Sequence, residues 1–411
     1  MRVLILSQWF DPEPFFKGLP FAKALRDLGH DVQVLTGFPN YPGGKVYPPY
    51  KIRLFQREVM EGIPVTRVAL YPSHDRSSLK RILNYTSFAV SAALLGPLLI
   101  RDIDIIYTYH PPGTIGLPAL VMKAAKRAPV VYDIQDLWPD SVRASGMLDN
   151  KVALWVLSKL CGVVYRFVDR IVVLSPGFKE ELTKRGVARE KIEIIYNWCD
   201  EQALASGDEA IDEDTKEIFR DKFNVLFAGN MGKGQGLEAV VDAAEILRER
   251  QPKVQIVLVG DGTEAEKLKE RARQKKLDNI VFLGRKPVDE IGGMLRHADV
   301  LLVHLKDDPL FRITIPSKTQ AYMAIGKPIL MGVKGDASRL VLDAGAGIVC
   351  APGDSRSIAE GISSMYLMEE QDLKNMGERA RVYYYENLSI FAGTRSFDRL
   401  FASLLQQYCG H

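Results

Sequence analysis

Short apolar runs alternate with longer stretches in which apolar residues recur at helical spacing along most of the chain. In the first half, the short runs cover residues 3–6, 32–35, 103–107, 130–132, 171–174 and 191–195. Runs rich in Val, Ile and Leu that are separated by helical patterns are typical of buried parallel strands joined by crossover helices. The first half therefore predicts a doubly wound α/β domain.

The same pattern restarts after a polar stretch, residues 201–221, that is rich in Asp and Glu. Its apolar runs cover residues 224–227, 254–259, 280–283, 300–303, 329–331 and 347–349. We predict a Rossmann-like domain over 1–200, a second over 201–385, and a helix within 386–411 that returns to the first domain, with the acidic stretch as linker. Ligands of such sheets bind beyond the carboxyl ends of the strands, so two facing halves predict a cleft.

Composition agrees with a two-domain globular protein. The 411 residues are enough for two separate cores, and 47% hydrophobic with 26% charged residues excludes a disordered or fibrous chain. The formal charge of +3 predicts no nucleic-acid partner. Four scattered cysteines, at positions 161, 199, 350 and 409, show no metal-ligand or disulfide spacing, and the N-terminal run has no signal cleavage site, so we expect a cytoplasmic protein.

One segment, residues 82–100, is almost long enough to cross a bilayer. A buried helix, an interfacial helix and a true span all fit its length. Polar residues inside it and charged residues directly after it disfavour a span. We predict a helix that packs on its domain and also meets a membrane surface, with a plain core helix as the alternative; Arg76, Lys80 and Arg81 would suit anionic lipid.

A loop with glycines at 229, 232, 234 and 236 lies between the strand at 224–227 and a helical stretch, 237–248. Glycines let a backbone approach an anion closely, and the helix that follows presents unpaired N–H groups and the positive end of its dipole. The pattern indicates a diphosphate site, although an ordinary strand-to-helix turn has the same appearance. The next two strand ends, Gly260-Asp261-Gly262 and Gly284-Arg285, fall on the same side of such a sheet.

A further helix is predicted between Pro316 and Gly326, with Ser317 as its N-terminal cap. The N–H groups of Lys318 and Thr319, together with the Lys318 ammonium, would form a second diphosphate site. A solvated lysine on a surface helix is the alternative.

The segments AGNMGKGQGLE, VGDG, FLGR and IPSKTQAYMAIGKPIL, in that order, resemble those of the family 4 retaining glycosyltransferases. In the first half, FDPEPFFKGLPFAKALRDLGHDVQVLTGFPNYP and YDIQDLWPDS resemble the bacterial branch that builds capsule, O-antigen and exopolysaccharide, including colanic-acid-type and fucosamine-transferase-like enzymes. The resemblance covers nearly the whole chain. It implies the α/β fold called GT-B, in which two Rossmann-like doubly wound domains face a cleft.

The resemblance also implies a reaction. A hexosyltransferase of this kind moves a sugar from a nucleoside-diphosphate sugar, with UDP as the expected carrier, to a saccharide acceptor that is lipid-linked, in the synthesis of cell-surface or extracellular polysaccharide. The sugar nucleotide is a substrate, so no cofactor is expected. No His, Cys or carboxylate cluster has metal-ligand spacing, so no metal ion is expected either. The expected location is the cytoplasm, peripheral to the inner face of the plasma membrane. A non-hydrolysing sugar-nucleotide epimerase and a catalytically weakened scaffold of the same fold remain alternatives.

Residues of the donor side are carried over by position. Gly18 should lie against the donor diphosphate, Asp261 and Gly262 should border the donor pocket, and Arg285 should neighbour the nucleobase. The remaining donor-binding candidates are Gly229, Asn230, Gly232, Gln235, Ser317, Thr319 and Gln320.

The chain departs from the family at two pairs of positions. Asn230 and Gln235 stand where the family has a basic pair, so Lys233 and Lys318 are the expected substitutes, with Arg312 as an outside candidate. Ile313 and Ala321 stand where the family has two glutamates, and Gln320 or Glu238 would then hold the donor ribose.

For catalysis, Lys318 and Lys233 should stabilise the departing diphosphate. Asp133 or Asp136 should accept a proton or hydrogen bond from the acceptor hydroxyl, although Asp136 as a simple helix cap is equally open. His110 and Tyr41 are the candidates for contact with the acceptor, with a structural histidine and a loop-packing tyrosine as the alternatives.

Overall fold

The structure, a computed structural model, describes residues 1–73, 78–144, 150–205 and 211–409. These residues form two compact units. The first takes in the described parts of Met1–Leu174, Phe178–Ile195 and Gly393–His411, and the second those of Ser175–Gly177 and Tyr196–Ala392. The described residues of the acidic stretch, 201–205 and 211–221, therefore belong to the second unit. Arg76 and the side chain of Cys409 lie outside the described residues.

The first unit is built on an eight-stranded sheet with the order β3-β4-β2-β1-β5-β6-β7-β8. All neighbouring strands are parallel except β3 and β4, which form an antiparallel hairpin. The strands are β1 (Arg2–Leu6), β2 (Asp31–Gly37), β3 (Phe55–Met60), β4 (Ile63–Val68), β5 (Ile105–His110), β6 (Val130–Ile134), β7 (Arg170–Val173) and β8 (Ile192–Ile194). The predicted parallel strands are present. The β3–β4 hairpin was not predicted; Glu61 and Gly62 make its turn with φ values of 46° and 86°.

The helices of the first unit connect these strands. They are α1 (Leu19–Asp27), α2 (Ser78–Leu99), α3 (Gly116–Lys126), α4 (Asp140–Ala144), α5 (Lys151–Phe167), α6 (Pro176–Lys184) and α17 (Ile390–Cys409). The first two residues of α6 and the first three of α17 are counted with the second unit. Phe397 of α17 is fully buried, and its ring lies 5.2 Å from the rings of both Phe21 and Tyr107. The C-terminal helix is thus part of the core of the first unit.

Helix α2 contains all but the last residue of the apolar segment 82–100. By length and composition α2 is the one described helix that is apolar enough to cross a membrane, and 39% of its most apolar stretch is buried inside the protein. Its inner face, which includes Asn84, Phe88 and Ala92, packs mainly on α3 and β4. Asn84 accepts a hydrogen bond from Gln8 at 2.7 Å. This helix therefore packs on its unit along one face.

The second unit has a six-stranded parallel sheet with the order β11-β10-β9-β12-β13-β14. Its strands are β9 (Phe223–Ala228), β10 (Val254–Val259), β11 (Ile280–Gly284), β12 (Val300–His304), β13 (Ile329–Gly332) and β14 (Gly347–Val349). Its helices are α7 (Glu201–Leu204), α8 (Glu213–Phe219), α9 (Glu238–Arg250), α10 (Ala265–Gln274), α11 (Val288–His297), α12 (Pro309–Arg312), α13 (Ser317–Ile325), α14 (Asp336–Asp343), α15 (Ser355–Tyr366) and α16 (Glu370–Asn387). The strand order reverses between β9 and β12, which opens a crevice at their carboxyl ends.

Candidate functional site

The loop after β9 depends on two glycines with positive φ. Gly229 has φ 142° and Gly260, after β10, has φ 127°. A Cβ atom at Gly260 would lie 2.0 Å from the carbonyl oxygen of Gly229, so a side chain is excluded there. The Gly229 N–H donates to Val259 O at 2.9 Å, and the Gly260 N–H donates to Gly284 O at 2.7 Å. These backbone hydrogen bonds join the ends of three neighbouring strands, β9, β10 and β11.

Several N–H groups of this loop point to no carbonyl. Within the described part of the chain, the backbone N–H groups of Asn230, Gly232, Lys233 and Gly234 have no hydrogen-bond acceptor. The loop continues through a single 3-10 turn, Lys233–Gln235, which ends at Gly236 in the left-handed conformation. Consecutive unpaired N–H groups in such a turn make a concave site for an anion.

A cavity of about 470 Å³ opens beside the loop. Its walls come from the ends of β9, β10 and β11 and from α11, and they include five predicted donor-side residues: Gly229, Asn230, Asp261, Gly262 and Arg285. The Asp261 carboxylate accepts the Gly262 N–H at 2.7 Å, and Asp261 O accepts the Met231 N–H at 2.8 Å. The structure thus brings the predicted residues of three loops into one cavity of a size typical of small-ligand sites.

Helix α13 begins differently from the prediction. Pro316 is its N-cap, and Ser317 is its first helical residue and makes no capping hydrogen bond. The Thr319 N–H is also occupied, since it donates to Pro316 O at 2.8 Å, and the Thr319 side chain is fully buried. The predicted capping role of Ser317 and the predicted free N–H of Thr319 are therefore wrong. Ser317 and Lys318 keep N–H groups without an acceptor among the described residues.

Lys318 joins α13 to the glycine loop. Its ammonium lies 3.0 Å from Gln235 Oε1 and 3.7 Å from the centre of the Phe227 ring, and a Cβ at Gly229 would lie 3.3 Å from it. Burial lowers the pKa of Lys318 to about 7. Within the described part of the chain, no carboxylate forms an ion pair with this ammonium. A buried cation without a counter-ion favours the binding of an anion.

The other predicted cations are more exposed. Lys233 and Arg285 are exposed side chains on the loops after β9 and β11. Arg312 is exposed as well, and its guanidinium is held by Asp307 at 2.7 Å. Lys233, Arg312 and Lys318 are the candidates for stabilising the leaving diphosphate. Of these three, Lys318 is the one whose ammonium lies against a buried ring, that of Phe227.

The residues proposed to replace the family's glutamates can also be placed. Gln320 is buried, and its side-chain nitrogen reaches Pro316 O at 2.9 Å when the amide is oriented to donate. Ile313 is the C-cap of α12, and Ala321 is half-buried on α13. Glu238 is the half-buried first residue of α9. Gln320 is thus engaged with its own helix, which leaves Glu238 as the carboxylate nearest to the loop in sequence.

Sequence reasoning missed two residues that hold the loop. His304, at the end of β12, is fully buried, donates from Nδ1 to Gln235 O at 2.6 Å and accepts the Gly353 N–H on Nε2 at 3.0 Å. Burial lowers the pKa of His304, which favours the neutral ring, and its two hydrogen bonds fix the tautomer. The Tyr322 hydroxyl accepts the Ala228 N–H at 2.8 Å. The signal for His304 was its position at a strand end beside the point where strand order reverses.

In the first unit, Asp133 lies in a buried network rather than in an open site. It is fully buried, and it accepts hydrogen bonds from Lys17 Nζ at 2.5 Å, Tyr107 Oη at 2.6 Å and Gln135 Nε2 at 2.5 Å. Lys17, its ion-pair partner, is fully buried too. Both carboxylate oxygens of Asp133 thus already accept hydrogen bonds from neighbouring side chains of the first unit. Its geometry fits a positioning role better than proton acceptance from a substrate.

Asp136 and His110 lie at the ends of β6 and β5. Asp136 is half-buried, and burial raises the pKa of its carboxyl. His110 is buried against the Trp138 ring, 5.5 Å away, and burial lowers the pKa of its imidazole to about 3. Neither ring nitrogen of His110 has a hydrogen-bond partner among the described residues. His110 is therefore a neutral, buried side chain in this structure.

Gly18 and Tyr41 are on loops after β1 and β2. Gly18 is the N-cap of α1, and the following N–H, that of Leu19, already donates to Asp11 Oδ2 at 2.6 Å. The half-buried Tyr41 ring lies 4.9 Å from Trp9, and the Tyr41 N–H donates to Glu13 at 2.7 Å. The Asp11 carboxylate thus occupies the helix N-terminus where Gly18 was expected to face a diphosphate.

No cluster of three or more His, Cys, Asp or Glu side chains is arranged to hold a metal ion within the residues that the structure describes. The site in the second unit instead combines backbone N–H groups with the single buried ammonium of Lys318. Such an arrangement can bind and stabilise an oxyanion.

Comparison with known proteins identifies the class. Residues 208–383 match the family model described as glycosyl transferases group 1, and residues 19–198 match the glycosyl transferase 4-like domain. The chain is 30% identical over 345 residues to WcaI of Escherichia coli, which is named as a colanic acid biosynthesis glycosyl transferase, over 79% of this chain and 82% of WcaI. It is 25% identical to WbjE of Pseudomonas aeruginosa, named as a glycosyltransferase, over 81% and 84% of the two chains.

Solved structures show the same fold. Anabaena HepE in complex with UDP and glucose superposes with a TM-score of 0.68 at 17% identity, over 98% of this chain and all of that one. The UDP-forming trehalose-phosphate synthase of Burkholderia vietnamiensis gives 0.70 at 14% identity, over 98% and 97%. The chain belongs to the glycosyltransferases of the GT-B fold. This confirms the predicted fold and the predicted membership of a GT-B glycosyltransferase family.

Proposed function

We propose that the protein transfers a hexosyl group from a nucleoside-diphosphate sugar to a saccharide with retention of configuration. The buried, unneutralised ammonium of Lys318 beside a loop of unpaired N–H groups supports this proposal most strongly. A departing diphosphate would supply the anion that this site lacks. The cavity beyond the loop, lined by Asp261 and Arg285, has room for the nucleoside.

In the proposed reaction, the bond from the anomeric carbon to the diphosphate oxygen breaks while a bond to the acceptor oxygen forms on the same face. The acceptor proton passes to the leaving diphosphate. Negative charge that builds up on the diphosphate is stabilised by Lys318, by Lys233 and by the free N–H groups of the loop. These groups supply the positive charge that a metal ion provides in other transferases, so we propose a metal-independent reaction. Asp136 remains our candidate for a hydrogen bond to the acceptor hydroxyl, since both oxygens of the buried Asp133 already accept hydrogen bonds.

We propose UDP as the carrier, supported by the UDP bound to HepE. We propose a lipid-linked saccharide as the acceptor, in capsule, O-antigen or exopolysaccharide synthesis of the colanic-acid or fucosamine-transferase type. The name of WcaI supports this role. The acceptor would be met at the inner face of the plasma membrane, with the exposed side of α2 touching the bilayer.

A thermal-shift screen of the purified chain tests the donor. Ligands that bind the folded state raise the melting temperature, so we expect a rise with UDP and UDP-sugars in the presence of EDTA and a smaller one with GDP or ADP. Proton NMR of the product formed with a matching sugar nucleotide then gives the anomeric configuration. No rise with any nucleotide would favour the scaffold alternative, and a product with inverted configuration would contradict retention.

A further inference from the structure

Helix α5 carries its apolar residues on the outside. Only Cys161 and Tyr165 of this helix are buried. Trp155 is 62% exposed and Val152 is 70% exposed, and the exposed apolar set is Val152, Trp155, Val156, Leu160, Val163 and Phe167. A surface helix of a globular protein normally turns its apolar stripe towards the core. An apolar stripe that faces outward marks a surface that meets something other than water.

Helix α2 presents a matching stripe. Its exposed large apolar residues are Leu79, Ile82, Leu83, Val90, Leu94 and Leu98. All of them except Ile82 are spaced four or seven positions apart and so form one line along the helix. The opposite face, with Phe88 and Ala92, is buried. One face of α2 therefore belongs to the core of the first unit, and the opposite face is a second apolar surface that is exposed on the same unit.

An apolar groove of about 330 Å³ connects the two stripes. It runs between α2, α3 and α5, and its walls include Val90, Leu117, Leu120, Leu157, Leu160 and Val163. Val90 belongs to the α2 stripe, and Leu160 and Val163 belong to the α5 stripe. The groove and the stripes are thus one continuous apolar surface.

The charges on these three helices all have one sign. Every ionisable side chain of Asp, Glu, Lys or Arg type on them is basic: Lys80, Arg81, Lys123, Lys126, Lys151, Lys159 and Arg166. Lys123 is neutralised by Asp169. The Lys159 ammonium lies 5.6 Å from the Trp155 ring, a pairing of a cation with an interfacial aromatic ring that suits the headgroup level of a bilayer. Basic residues around an apolar surface favour contact with anionic lipid over contact with the apolar surface of a second protein.

We propose that α2, α3 and α5 form a docking face for an anionic membrane and that the groove between them takes one hydrocarbon chain of an anionic membrane lipid. This extends the membrane contact of the proposed function from α2 to α3 and α5, and it rests on that contact rather than on the sugar chemistry.

Sedimentation of the full chain with phosphatidylcholine vesicles, with and without phosphatidylglycerol, tests the docking face. We expect binding to the anionic vesicles and little binding to the neutral ones. Leu160→Asp should weaken the binding at least about tenfold, because it places a charge in the apolar contact. Leu342→Asp, on the second unit, is the matched control, since Leu342 is 55% exposed and Leu160 is 57% exposed.

A second matched pair of variants distinguishes a loss of membrane contact from a folding defect. Leu98→Asp should weaken vesicle binding in the same way, whereas Leu367→Asp should not, and the two leucines are 77% and 75% exposed. The rise in melting temperature with UDP, measured on each variant, reports on folding and on the donor site separately from the membrane. Equal vesicle binding by both members of each pair would overturn the docking face. A change from dimer to monomer in Leu160→Asp, with vesicle binding kept, would assign the face to a second copy and overturn it too.

The groove itself is tested by Leu117→Trp. Leu117 is half-exposed at the groove, and a tryptophan there fills the space while the surrounding surface stays apolar. Native mass spectrometry of the wild type with lysophosphatidylglycerol should show one bound lipid, and Leu117→Trp should lose it while it still sediments with anionic vesicles. Equal lipid occupancy in both proteins would overturn the groove as the lipid site.

Discussion

The Lys318 ammonium lies 3.0 Å from the Gln235 side-chain oxygen, on the loop that follows the central strand of the second sheet. The Gln235 amide is neutral, so it orients the ammonium without cancelling its charge. Family relatives are expected to have a cation in the position of Gln235, and here the cation comes from α13 instead. The contact explains how the site keeps positive charge despite the two departures at Asn230 and Gln235.

Protonation of Lys318 should be coupled to diphosphate binding. Burial lowers the pKa of Lys318 to about 7. In the ligand-free protein at about pH 8, the Lys318 side chain is therefore neutral in most molecules. A bound diphosphate favours the charged form, so UDP binding should take up close to one proton at about pH 8 and almost none at about pH 6. Titration calorimetry in two buffers of different ionisation enthalpy measures this uptake.

Lys318→Met is the control for that measurement, because methionine fills the space over the Phe227 ring without a titratable group. It should bind UDP more weakly, with no proton uptake at either pH. Proton uptake that persists in Lys318→Met would assign the titration to another group.

Gly260→Ala should disrupt the donor loop. Its Cβ would meet Gly229 O at 2.0 Å, and its φ of 127° is unfavourable for alanine, so we expect a loss of about 1–3 kcal/mol in the free energy of unfolding. Affinity for UDP should fall further than this loss of stability explains, since the loop N–H groups are displaced. Gly43→Ala, which meets nothing within 4 Å, serves as the control in urea unfolding and UDP titration. Unchanged UDP affinity in folded Gly260→Ala would contradict the site.

His304→Ala should weaken donor binding because it loosens the glycine loop, not because it removes a catalytic group. It leaves Gln235 O and the Gly353 N–H without their partner, which costs about 1–3 kcal/mol for each buried group that water does not reach. We expect the KM for the sugar nucleotide to rise more than kcat falls. His297→Ala, a half-buried histidine on α11, is the comparison in the same steady-state assay. An equal fall in kcat with an unchanged KM would instead make His304 a catalytic residue.

Asp133→Asn should reduce stability more than turnover. Asp133 and Lys17 are both fully buried. Removal of the charge on Asp133 leaves the buried charge of Lys17 without a partner, which should lower the free energy of unfolding by about 3–5 kcal/mol. A double variant, Lys17→Met with Asp133→Asn, should recover part of this loss, which chemical denaturation of the single and double variants will show. Turnover per folded molecule should stay within about tenfold of the wild type. A much larger loss of turnover in a folded Asp133→Asn variant would restore Asp133 as a catalytic residue.

Local patterns predicted the parallel strands and the donor loops. Buried parallel strands are continuous apolar runs, and the glycines at 229 and 260 follow them directly, so both signals lie within a few residues of each other. The β3–β4 hairpin was not predicted because its outer strand, Phe55–Met60, alternates between exposed and half-buried residues and has polar residues at half of its positions. Its pairing is visible only when the partner strand is known.

Residues that depend on contacts across the chain were not predictable. Lys17 pairs with Asp133 and His304 pairs with Gly353, and neither partner is near in sequence. The outward apolar face of α5 has the same spacing as an inward one, so periodicity alone gave no sign of its direction. The sequence located the glycine loops of the second unit, whereas it missed the buried contacts of the first unit.

Turnover of a sugar nucleotide by Lys318→Ala, measured beside its melting temperature, tests the central claim most directly. Loss of the one buried cation of the leaving-group site should lower kcat by about 10²–10³ while the melting temperature stays at or above that of the wild type. Lys374→Ala, an exposed lysine on α16, should match the wild type in both measurements. Full turnover in Lys318→Ala, or a loss of turnover that only follows a loss of folding, would contradict the account.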